Sequence, residues 1–196
     1  MTTREKYTPG PARGAQVRKD DGERWTLILV RDLRHPPEKV WQALTDPAHL
    51  REWAPFVTDA SLGTVGSANL TWVGTGKPQV ATITRADAPE VLEYDDMRWE
   101  LEALGGGTRL TLWHKIDRRF ISWGAAGWHI CFDVLDHLLS GTPIGRIAGG
   151  DEGRLLHRQF HGVVPPKLQR SGRQASNQGS QCRTALRTRR SIAASR

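Results

Sequence analysis

The chain has 196 residues, 38% of them hydrophobic, which suits one domain with polar extensions. Its net charge is +7, but the excess is local: residues 24–153 hold 13 Lys/Arg against 17 Asp/Glu, whereas residues 154–196 hold ten Lys/Arg and no acid. Two separated cysteines and the lack of a secretory or bilayer-length apolar run exclude a disulfide-stapled secreted fold and membrane insertion, so a cytoplasmic protein is expected.

Residues 1–23 are polar, contain Pro9, Gly10, Pro11 and Gly14, and show no periodicity, so a flexible leader is expected there. Trp25, Leu27, Leu29 and Leu33 then alternate as in a half-buried strand. Arg31 falls on the same face, either as a polar anchor inside a cavity or as a strand-end residue reaching solvent. Pro36 and Pro37 end that strand and pre-set the first turn of a helix whose apolar positions are Val40, Trp41 and Leu44. Asp46 and Pro47 fit the cap and first position of a second short helix, with Leu50 and Trp53 on its buried face and Pro55 as its stop. Two helices this short cannot bury Trp41, Trp53 and Phe56 against each other, so a sheet must close over them.

Residues 59–73 read as extended, with turns at Gly63 and Gly66, and Gly74-Thr75-Gly76 reads as a hairpin connection. Val80, Thr82 and Thr84 alternate against Ala81 and Ile83, and Ala88-Pro89-Glu90 turns the chain into a short strand, Val91 to Tyr94. Met97, Trp99, Leu101 and Ala103 share one strand face, Gly105-Gly106-Gly107 makes a hairpin tip, and Leu110, Leu112, His114 and Ile116 share the next face, opposite Trp113. From Ser122 the period becomes helical: Ala125, Trp128, Phe132, Leu135 and Leu139 form one stripe, widened by Cys131 and Leu138. Gly141 or Gly145 can end this helix. The whole is an α+β pattern.

Arg31, Pro36 to Trp41, Thr45-Asp46-Pro47 and Trp53 with Pro55 resemble the first strand and paired helices of the START-like (SRPBCC) superfamily, in particular the activator of Hsp90 ATPase homologue family. Gly127-Trp128-His129 in the long helix is a second match, and the resemblance covers residues 24–150. It implies the helix-grip (START-like, Bet v 1-like) fold, in which a curved antiparallel sheet wraps the last helix and leaves a cavity between them. Members of this superfamily use that cavity for many purposes.

A cavity lined by Trp53, Phe56, Trp72, Trp99, Leu112, His114, Trp128 and Phe132 would take a hydrophobic or amphipathic small molecule; the alternative is that these side chains fill the core. Eight Trp, and Gly124 and Gly127 thinning the helix where it faces the sheet, favour internal space. His114 reads as hydrogen-bonded structure or as a cavity base, and His129 with Asp133, one turn apart, as an imidazole oriented by a carboxylate or, in preference, as a surface pair on the polar side of the helix. Cys131 reads as a small buried hydrophobe, and His157 and His161 lack a third metal ligand, so no metal or other cofactor is expected.

The tail, residues 151–196, is expected to be basic and disordered, a natural arm or an out-of-frame or divergent end. The absence of acids from residue 154 onward and of aromatics from residue 162 onward favours the second origin. With no aromatic residues among Arg187, Arg189 and Arg190 to stack on bases, it supports only salt-sensitive, non-specific contact with nucleic acid. The first functional reading is a non-enzymatic small-molecule binder, as a monomer or homodimer. The alternatives are a co-chaperone-like module acting on a chaperone ATPase, and a cyclase- or hydrolase-like enzyme whose acid–base groups would be His114 and Arg31.

Overall fold

A computed structural model describes residue 7, residues 15–20 and residues 24–148. Among these residues the chain runs β1 (Ala15–Lys19), β2 (Trp25–Leu33), α1 (Pro37–Thr45), α2 (Pro47–Trp53), β3 (Phe56–Thr58), β4 (Gly66–Trp72), β5 (Pro78–Asp87), β6 (Val91–Tyr94), β7 (Met97–Leu104), β8 (Gly107–Ile116), a 3-10 turn (Arg118–Phe120) and α3 (Ile121–Leu139). The strands form one antiparallel sheet in the order β1-β2-β8-β7-β6-β5-β4-β3. With the helices against it this is an α+β, helix-grip arrangement.

The helix pair follows from its prolines and one aspartate. Pro37 occupies the first turn of α1, and Asp46 closes the junction: its Oδ1 accepts from the amides of Ala48 at 2.7 Å and His49 at 3.3 Å. Those amides have no partner inside the helix, so the carboxylate replaces water there. Val40, Ala43 and Leu44 bury one face of α1, and Leu50 and Trp53 bury one face of α2. The Trp53 indole donates to the Ala43 carbonyl at 2.9 Å, which ties the two helices and satisfies a fully buried N–H.

Period-two alternation sends one set of side chains toward α3. Leu27 and Leu29 of β2 stand opposite His114 and Leu112 of β8, which in turn stand opposite Met97 and Trp99 of β7. Leu92 and Tyr94, Ala81 and Ile83, and Ala68 and Leu70 continue this buried face across β6, β5 and β4. α3 supplies the other wall with Ala125, Phe132 and Leu135, each about fully buried. A Cβ on Gly124 would stand 2.8 Å from Cδ1 of Ile116, so the glycine lets the first half of α3 approach β8. Gly141, at φ +74°, follows the helix end and donates to the Leu138 carbonyl at 3.1 Å.

The leader expected at residues 1–23 is corrected at Ala15–Lys19. These residues form β1, with Ala15 opposite Leu29 and Lys19 opposite Trp25. An edge strand is held by backbone pairing on one side and needs little apolar alternation; here only Ala15 and Val17 pack against the core. The tail reading at residues 151–196, with His157, His161 and Cys182, lies outside the described residues, as does the rest of the leader apart from Tyr7 and Asp20.

Candidate functional site

The space between sheet and helix is not uniform. Toward α1 and α2 it is filled by aromatic rings in edge-on contact. Trp53 meets Trp99 with centroids 6.1 Å apart, Trp99 meets Trp128 at 5.4 Å, and Phe132 lies 6.0 Å from Trp99. Phe56 meets Trp72 at 5.3 Å and Tyr94 at 6.3 Å, and the Trp99 indole donates to the Tyr94 hydroxyl at 3.2 Å.

Toward the other end of the helix the packing stops. A pocket of about 620 Å³ opens between the ends of β4 and β8, the first half of α3 and residues 147–148. Trp72, Val73 and Gly74 form one side and His114 and Ile116 another, while Trp123, Gly127, Trp128 and Cys131 project from α3. A Cβ added at Gly127 would meet no atom within 4 Å, so the glycine borders open space. Phe120 and Trp123, 52% and 58% exposed, stand at the rim.

His114 is the polar centre of this pocket. The Trp128 indole N–H donates to its Nδ1 at 3.1 Å, with the rings nearly perpendicular. An indole nitrogen can only donate, so Nδ1 must be the bare nitrogen and the ring proton sits on Nε2. Burial pushes the His114 pKa down to about 4, because a desolvated imidazolium is unfavourable; the nearby Asp96 carboxylate offsets this only in part. The imidazole is therefore neutral at physiological pH. Burial likewise pushes the Cys131 thiol up to about 12, so it stays protonated and is a poor nucleophile.

The eight side chains expected to line a cavity divide between the two halves. Trp72, His114 and Trp128 line the pocket. Trp53, Phe56, Trp99, Leu112 and Phe132 lie in the packed core at 0–1% exposure. Sequence reasoning did not select Val73, Ile116, Trp123 or Cys131 as lining. Gly127 was the available signal, since a glycine inside an apolar helix stripe marks either close approach or space.

Arg31, His129 and Asp133 belong to neither half of the aromatic lining. Arg31 reaches from β2 to α3, where one guanidinium nitrogen is 2.9 Å from Oδ1 of Asp133 and another donates to Nδ1 of His129 at 3.1 Å. Tyr7 donates its hydroxyl to Oδ2 of Asp133 at 2.8 Å. The phenol is held far above its ordinary pKa, first by burial and then by that carboxylate. Two readings are thereby corrected. Arg31 is neither a cavity anchor nor a free strand end, and His129, only 2% exposed, is no surface residue. The physical reason is a partner about a hundred residues away: Arg31 lets the polar side of α3 face the sheet instead of water.

Among the described residues no three His, Cys, Asp or Glu side chains gather as a metal site, and no helix is long and apolar enough to cross a membrane.

The fold matches several solved structures. EF2215 from Enterococcus faecalis, a conserved protein of unknown function, superposes with a TM-score of 0.59 at 17% identity, covering 76% of this chain and 89% of that one. CalU16 from Micromonospora echinospora gives 0.58 at 19% identity, covering 80% and 96%. The protein MLL2253 from Mesorhizobium loti gives 0.53 at 24% identity, covering 61% and 99%. At such identities the likeness establishes the fold alone. The curated proteins yield no match to the sequence. The profile of the family described as "Activator of Hsp90 ATPase homolog 1-like protein" matches residues 34–140. That span is more than half of the chain and holds both short helices, six of the strands and α3, so the protein belongs to this family.

Proposed function

We propose that the protein is a non-enzymatic binder that holds a hydrophobic or amphipathic small molecule in the pocket beside His114, Gly127 and Trp128. The observation that carries this reading is the unfilled apolar space at Gly127, about 620 Å³ in a fold otherwise packed with large side chains. Pockets of about 300–1,000 Å³ with apolar walls and few polar groups suit small ligands. The proposed domain is that expected at residues 24–150, with β1 added at its edge. The two reactive groups favour holding over chemistry: a neutral His114 with a pKa near 4 is a weak base at pH 7, and Cys131 keeps its proton.

The test is titration with N-phenyl-1-naphthylamine, an uncharged dye that brightens in apolar surroundings. The wild-type protein should bind it saturably. Gly127→Leu should fill the space and abolish binding, while leaving the fold intact by circular dichroism. Absence of saturable binding, or unchanged binding by a folded Gly127→Leu protein, would overturn the proposal.

A second reading, a module that docks on a chaperone ATPase, draws on the exposed Phe120 and Trp123 at the rim. It expects Trp123→Ala to weaken stimulation of a chaperone's ATPase rate, and Gly127→Leu to leave that stimulation unchanged.

A further inference from the structure

The chemistry of the pocket wall restricts what it can hold. None of the described residues lining it is charged, and Arg146, beside the lining Ile147 and within electrostatic reach of Cys131, gives its guanidinium to the Arg51 carbonyl, so an ionised ligand would give up its hydration without a free counter-ion on the wall. The strongest polar side-chain groups on the wall are donors. Trp72 and Trp123 carry indole N–H groups, which can only donate, and the thiol of Cys131 is a weak donor. His114 adds the strongest of these. Its Nδ1 is taken by the Trp128 indole at 3.1 Å, which fixes the tautomer and leaves Nε2–H as the edge a ligand can use. Among the described residues, the bond from Trp128 is the hydrogen bond that His114 makes.

Trp128 is itself held. Its ring stacks edge-on against Trp99 at 5.4 Å, and Trp99 rests on Trp53 at 6.1 Å. The filled half of the core thus sets the orientation of the imidazole, and hence which nitrogen carries the proton. A donor positioned this way loses little entropy when a ligand engages it.

We propose that the pocket selects uncharged aromatic or alicyclic molecules bearing a hydrogen-bond acceptor, such as a ketone or ether oxygen, which takes the Nε2 proton of His114. This inference rests on the binding reading above. It excludes carboxylates and other anions as preferred ligands, because neither a cation nor an imidazolium lines the pocket at neutral pH. It also ranks plain hydrocarbons below acceptor-bearing molecules of the same shape.

Three near-isosteric probes test it by displacing N-phenyl-1-naphthylamine at pH 7: 2-acetylnaphthalene, 2-isopropenylnaphthalene and 2-naphthoate. The ketone should compete at about a fivefold lower concentration than the alkene, the effect of one net hydrogen bond. The carboxylate should be weaker than the ketone by at least about tenfold, as an uncompensated charge demands. In His114→Phe the ketone and the alkene should bind within about twofold of each other. Imidazole ¹⁵N signals of the wild-type protein give a second readout that needs no variant: the ketone should shift the Nε2 resonance of His114 and the alkene should leave it in place. Equal ketone and alkene affinities in the wild type, a preference for the carboxylate, or an Nε2 signal indifferent to the ketone would overturn the inference while the pocket still binds. A protein that fails to bind the dye at all, or a Gly127→Leu variant that still binds it, would instead remove the binding reading itself.

Discussion

The two ends of the space under α3 use the same residue types to opposite effect. At one end Trp53, Trp99 and Phe132 interlock at centroid spacings near 6 Å and are about fully buried. At the other, Trp72, Trp123 and Trp128 border about 620 Å³ of open volume. The difference lies in what faces the rings. In the filled half Trp53 and Trp99 meet other rings and are about fully buried; at the open half Trp72 and Trp128 meet a ring of the filled half and also border the pocket, Gly127 contributes no side chain, and Trp123 is 58% exposed. Aromatic content therefore does not make a cavity. Here the open space lies where Gly127 adds no side chain to the wall.

That contrast predicts unequal consequences of mutation. The largest belongs to the filled half: Trp99→Ala should destabilise the fold by about 3–5 kcal/mol, the usual cost of deleting a large buried ring and leaving a cavity. Urea unfolding reads this directly, and a loss below about 1 kcal/mol would show that this half is not tightly packed.

The next effect belongs to the pocket wall and depends on pH. His114 has an ordinary pKa of 6.5 and a folded one of about 4. Between those values the unfolded chain takes up a proton that the folded chain refuses, so stability must fall as pH drops from 6.5 toward 4. The full span is worth about 3 kcal/mol, at about 1.4 kcal/mol per pKa unit. Urea unfolding at pH 7, 6 and 5 should show that slope in the wild type and a shallower one in His114→Gln. Equal slopes would place His114 in contact with solvent.

The smallest effect has the opposite sign. Gly127→Leu should stabilise the folded protein by up to about 1 kcal/mol, since a leucine favours the helix and meets nothing within 4 Å at its Cβ. A destabilised variant would mean that the helix needs the glycine for packing. This would weaken the use of Gly127 as the mark of an empty half.

How far these features could be read in advance depended on their range. Asp46-Pro47 specifies its helix cap within four residues, and the alternation of Leu110, Leu112 and His114 specifies a strand face within five. Such local patterns placed most elements, though not β3, whose three residues Phe56–Thr58 precede the extended stretch expected at 59–73, of which only Gly66–Trp72 is a strand. β1 escaped because Ala15–Lys19 needs only one pairing neighbour and its apolar alternation is limited to Ala15 and Val17. Arg31 and His129 escaped for another reason: whether the polar side of α3 faces water depends on a residue 98 positions away. The inward faces of β7, β8 and α3 were legible, but not whether they meet. Trp99 and Trp128 sit on equally apolar patterns and both are buried, and only their relative placement gives Trp128 an edge on the pocket wall as well.

The most direct test of the central claim, that the half beside Gly127 receives the ligand, is already built into the tryptophans. The indole N–H groups of Trp53, Trp99 and Trp128 have separate partners: the Ala43 carbonyl, the Tyr94 hydroxyl and His114 Nδ1. Their ¹H–¹⁵N signals can be followed in one titration with N-phenyl-1-naphthylamine. A saturable shift of the Trp128 indole is expected, with the Trp53 indole unmoved. A shift at Trp53 equal to that at Trp128, or no shift at Trp128 while the dye binds, would contradict it.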